Sequence, residues 1–114
     1  MKVVVLYENK RNRAELIEEL KKAGHDVITC TSSSDFLEAA ERDDVERLII
    51  DVKSWFRGTS IYNYFNITSK LTEIPALFFD APDGFNGIDG RPELESDVIL
   101  EKERSVDAIL AALV

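Results

Sequence analysis

The chain has 114 residues, 45% of them apolar and 32% charged, which suffices for one hydrophobic core and one domain spanning 1–114, with no room for a separate output domain. Its 14 Lys and Arg against 22 Asp and Glu give a net charge of −8, which argues against nucleic acid as a partner, since phosphate-backbone affinity rests on cationic contacts. Ordinary apolar content without a low-complexity run excludes disorder, and no apolar run nears the ~20 residues that span a bilayer, so no membrane association is expected.

The opening MKVVVLYENK turns to charge straight after Leu6 and reads as a strand, not a signal peptide. A single Cys30 leaves no internal disulfide and fits a reducing, cytoplasmic setting. From about Asn12 to Ala23, Leu16, Ile17, Leu20 and Ala23 fall on one helical face, and Gly24 stands where a C-terminal cap is expected. A strand over about Asp26 to Thr31 follows. Ser32, Ser33 and Ser34 then supply capping oxygens for a helix with Phe36, Leu37, Ala39 and Ala40 inward. The third strand runs from about Arg47 to Val52 and carries Asp51 at its end. Weak helical spacing rich in Tyr and Phe runs from about Ser60 to Leu71. Ala76 to Phe79 form the fourth strand, bounded by Pro75 and Asp80.

The Gly- and Pro-rich stretch Ala81 to Ser96 is turn chemistry, so the fourth helix is irregular or missing. Val98 to Leu100 make the fifth strand, and Ser105 caps a last helix presenting Val106, Ile109, Leu110 and Leu113. Buried strands alternating with crossover helices predict an α/β fold: one doubly wound, five-stranded parallel sheet in three layers.

In such a sheet the working site lies outside the carboxyl ends of the strands. The first loop there, YENKRNR, has no glycine, which argues against a phosphate cradle and the usual cofactor enzymes of this architecture. His25 reads as a solvated turn residue, and Cys30 as a small buried or loop thiol, with no base near it in sequence. What remains at the strand ends is Glu8, Asp51, Asp80 and Lys102. Such a set either holds a hard divalent cation and a phosphoryl group or forms a salt-bridged rim, and Asp51 by itself is equally a strand-ending residue that starts a turn.

Across essentially the whole chain, these positions resemble the CheY-like receiver domains of bacterial two-component signalling, which share the flavodoxin/CheY-like fold. The resemblance implies Asp51 as phosphoacceptor, Lys102 as the phosphoryl contact, and Mg2+ held by Glu8 and Asp51. It implies a protein partner: a histidine kinase, a phosphotransfer protein or a downstream effector. It implies no enzyme of its own.

The match departs from the family pattern at several places. Tyr7 replaces the first acid and weakens the metal site, because a phenol of pKa about 10 is a poor ligand for a hard cation. Asp80 replaces the hydroxyl residue and would repel a phosphoryl group. Trp55, Glu103 and Leu100 stand where the family has two prolines and an aromatic switch residue. The expectation is thus an atypical receiver of a phosphorelay, or else a phosphorylation-independent interaction module with the same fold. A surface for the second role is offered by Trp55, Phe56, Tyr62, Tyr64 and Phe65, which otherwise pack as core. A small flavodoxin-like ligand-binding domain or enzyme is the remaining alternative. The Asn66-Ile67-Thr68 glycosylation triplet is idle without a secretory signal.

Overall fold

Val3 to Leu6 form an unbroken apolar run because both faces of the strand they build are covered. The computed structural model describes residues 1–42, 44–58, 72–88 and 90–113. Five strands make one parallel sheet: β1 (Lys2–Leu6), β2 (Asp26–Cys30), β3 (Arg47–Asp51), β4 (Ala76–Ala81) and β5 (Val98–Glu101), in the order β2-β1-β3-β4-β5. Among the described residues four helices connect or flank them: α1 (Lys10–Lys22), α2 (Ser33–Ala40), α3 (Val52–Gly58) and α4 (Val106–Ala112). This is the predicted doubly wound α/β sheet, with the strand order of flavodoxin/CheY-like folds.

Strand alternation divides the interior into two cores. Val4, Leu6, Leu48, Ile50 and Phe78 point to the face where Phe36 of α2 and Trp55 of α3 pack. Val3, Val5, Ile49, Leu77 and Phe79 point to the other, against Leu16 and Leu20 of α1 and Ile109 of α4. No helix among the described residues is long and apolar enough to cross a membrane.

The expected caps are present. Ser32 Oγ accepts from Asp35 N at 3.2 Å, Ser105 Oγ accepts from Ala108 N at 3.2 Å, and Gly24 takes φ 93 after α1, a left-handed turn that suits glycine. Asn9 caps α1 by accepting from Asn12 N at 3.0 Å, so the helix starts earlier than its apolar spacing indicates. Ala23, expected inside, is exposed beyond the last turn.

Two differences concern the site. Helix α3 begins directly after β3, ahead of the spacing read from Ser60, because Asp51 caps its first turn and Val52 and Trp55, three residues apart, pack inward. The helical spacing from Ser60 to Leu71, with Tyr62, Tyr64 and Phe65, lies outside the described residues, as does Asn66-Ile67-Thr68. Strand β4 runs two residues past Phe79, so Asp80 sits within the strand instead of bounding it.

Between β4 and β5 the described residues contain no helix, as expected of that Gly/Pro stretch. Ile88 fills the core beside Trp55, and Phe85 packs edge-on against Phe78 with ring centroids 5.2 Å apart. Arg91 pins the segment. Its guanidinium makes a two-pronged pair with Asp97 at 2.7 and 2.9 Å and donates to Ile74 O at 2.8 Å, while Asp97 accepts from the amides of Ala76 and Leu94.

Candidate functional site

The winding reverses beside β1, so the carboxyl ends of β1 and β3 flank the switch point where such sheets place their sites. A cavity of about 340 Å³ opens there. Glu8, Asp51 and Asp80 line it, as the strand-end reading expects, together with Tyr7, Asn9 and Asn12. The cations facing these acids are Lys53, Arg57 and Arg104. Lys102 is not among the lining residues.

Asp51 is 6% exposed and committed to helix α3. Its Oδ2 accepts the amide of Ser54 at 3.2 Å and also the Ser54 hydroxyl. The first of these bonds is the N-cap to third-residue contact that satisfies a free amide at a helix start. Ser54 Oγ in turn accepts from Glu8 N at 2.9 Å, tying the end of β1 to the start of α3. Burial pushes the Asp51 carboxyl above its ordinary value, and the charge of Asp80 adds to this. The bonds from Ser54 and from the Lys53 amide oppose it without cancelling it.

Tyr7 is buried edge-on against Phe79, with centroids 4.9 Å apart. Burial raises its phenol pKa, helped by the charges of Asp51 and Asp80 and opposed by Asn12 and Arg104, so it stays neutral. Glu8 pairs with Arg57 at 3.4 Å, and Asp80 with Lys53 at 3.1 Å.

Asp80 and Lys102 both hold φ 51, the left-handed region that an L residue with a Cβ enters at a cost. Their strands are locked by Asp80 N donating to Glu103 O and Lys102 N donating to Ala81 O, each at 2.8 Å. The reversal at Lys102 accompanies an ammonium that reaches Asp83 at 2.9 Å instead of the cavity. The structure therefore brings Glu8, Asp51 and Asp80 together and leaves Lys102 outside their cavity.

Comparison with protein-family models and with curated proteins returns no match.

The donor set does not suit Mg2+, a small cation that demands near-octahedral oxygen ligands. Among the described residues no three His, Cys, Asp or Glu side chains are grouped to hold a metal ion. Glu8 is bound to Arg57, Asp51 to Ser54, and Tyr7 is a neutral phenol.

The sequence reading missed Ser54, Lys53, Arg57 and Arg104. For Ser54 a signal existed, since Asp51-x-x-Ser54 has the spacing of a helix start. For Arg104 there was none, because its place depends on the turn at Lys102. His25 stands in the turn after α1 with the N-terminal amine 3.4 Å from Nδ1, and Cys30 is buried with its thiol pushed up to about 11 by desolvation. A thiol held protonated in this way is a weak nucleophile. Trp55 is core, 1% exposed, whereas Phe56 is 52% exposed and meets Phe85 edge-on at 6.2 Å.

Proposed function

We propose that this chain is a receiver-like signalling module that acts through protein contacts, without phosphorylation of Asp51 and without chemistry of its own. The observation that carries this reading is the capping role of Asp51. A carboxylate held by the Ser54 amide and hydroxyl to start α3 is fixed in orientation, and with only 6% of the residue exposed a phosphoryl donor has little access to its other oxygen. The surroundings support it. Asp80 brings a negative charge to the same cavity, Lys102 is engaged by Asp83, and among the described residues no three acidic, His or Cys side chains are grouped to hold a metal ion. The exposed Phe56 beside Phe85 offers an apolar contact on the same edge. The receiver-type partners implied by the resemblance remain those of this proposal: a kinase, a phosphotransfer protein or an effector.

The test is incubation with acetyl phosphate and Mg2+, read by intact mass. No phosphoryl adduct is expected, and the fluorescence of the single Trp55 should not change. An adduct that disappears in Asp51→Ala would overturn the proposal and restore Asp51 as phosphoacceptor.

A further inference from the structure

The cavity at the ends of β1, β3 and β4 balances its own charge. Three carboxylates, from Glu8, Asp51 and Asp80, face three cations, from Lys53, Arg57 and Arg104. Glu8 holds Arg57, Asp80 holds Lys53, and Asp51 takes its bonds from Ser54. Arg104 makes no ion pair among the described residues.

Asp80 differs from the other two acids in how the fold places it. Between Phe78 and Ala81 strand β4 slips against β5, and Asp80 within that irregularity has φ 51. Bulges of this kind re-aim a side chain, and a strained residue persists only where its surroundings hold it. Here the backbone is held by the bond from Asp80 N to Glu103 O, and the side chain, mostly shielded from solvent, meets Lys53 at 3.1 Å. The same carboxylate also lines a second cavity of about 280 Å³, shared with Phe56, Pro82 and Lys102, so it stands in the wall between the two.

We propose that Asp80 is a built-in anion: its carboxylate neutralises Lys53 and closes the cavity to free oxyanions. With Asp80 neutral, Lys53 and Arg104 make no ion pair among the described residues, and the cavity's charge changes from balanced to positive, with Glu8 and Asp51 against Lys53, Arg57 and Arg104. A small tetrahedral oxyanion is the class of ligand that two such cations, with the amide side chains of Asn9 and Asn12, would then take. The inference goes beyond the contact reading and does not depend on it, since inorganic phosphate forms no acyl phosphate with a carboxylate.

The experiment is a titration with inorganic phosphate at constant ionic strength, followed by amide and side-chain NMR signals of Lys53 and Arg104. Asp80→Asn keeps the shape of the side chain and tolerates a left-handed backbone. It should bind phosphate at least about tenfold more tightly than the wild type, a difference of about 1.4 kcal/mol. Asp80→Gly, which removes the charge and relieves the backbone, should show the same gain and serves if the Asn variant folds poorly. Adding Lys53→Met to Asp80→Asn should abolish it. Equal binding by the wild type, no gain in either Asp80 variant, or a gain that survives Lys53→Met would each overturn the proposal.

Discussion

Asp51 closes an aliphatic strand and opens a helix, and the second role claims its carboxylate. Asp51→Ala removes a cap, worth about 1 kcal/mol, and leaves the buried Ser54 hydroxyl without its acceptor, which adds about 1–3 kcal/mol. Asp51→Asn keeps an accepting oxygen and caps about as well, so its loss should stay near ~0.5 kcal/mol. Urea denaturation separates the two, and equal losses would remove the capping argument. Lys102 is a second residue whose backbone matters more than its charge. Its left-handed φ costs about 1–2 kcal/mol, and glycine there gives back about half of that gain in chain entropy. Lys102→Gly should therefore stabilise the protein by ~0.5–1 kcal/mol in the same assay, since the exposed pair with Asp83 contributes little.

The Gly/Pro segment between β4 and β5 is held at element scale by a buried ion pair. Arg91 and Asp97 have side chains 1% and 4% exposed, and Arg91 also lies over the Phe78 ring at 5.8 Å. Arg91→Ala leaves Asp97 buried without its cation and is expected to cost about 3–5 kcal/mol, measured by urea or thermal unfolding. Burial alone would raise the Asp97 pKa, but Arg91 and the amides of Leu94 and Ala76 outweigh it and the net shift is downward. Asp97 therefore contributes its full stabilisation above the unfolded Asp value of about 3.9, and loses it as pH falls through the lower folded value. The gap in unfolding midpoint between wild type and Asp97→Asn should be constant near neutrality and shrink below about pH 4. A gap that is unchanged there would show that Asp97 is not the titrating group. The Gly/Pro composition made the missing helix legible, but not the clamp, because Arg91 reaches Ile74 and Asp97 only once β4 and β5 are adjacent.

For the whole molecule, one sheet divides two cores, so neither core can open without exposing a face of the same five strands. Unfolding followed by Trp55 fluorescence, which reports one core, should coincide with unfolding followed by far-UV circular dichroism, which reports helices on both faces. Separate midpoints would mean that the two cores melt independently. The net charge of −8 does not collect at the site, where Lys53, Arg57 and Arg104 offset the three acids. By itself the sequence determined the alternation of strands and helices, the caps at Ser32 and Ser105, and the meeting of Glu8, Asp51 and Asp80, because apolar period and strand-end position are local properties. Only the tertiary structure decided which cations face those acids. A left-handed turn at Lys102, set by hydrogen bonds between neighbouring strands, carries its ammonium to Asp83 and leaves Arg104 at the cavity. Backbone reversals of that kind depend on strand register, which no local pattern encodes.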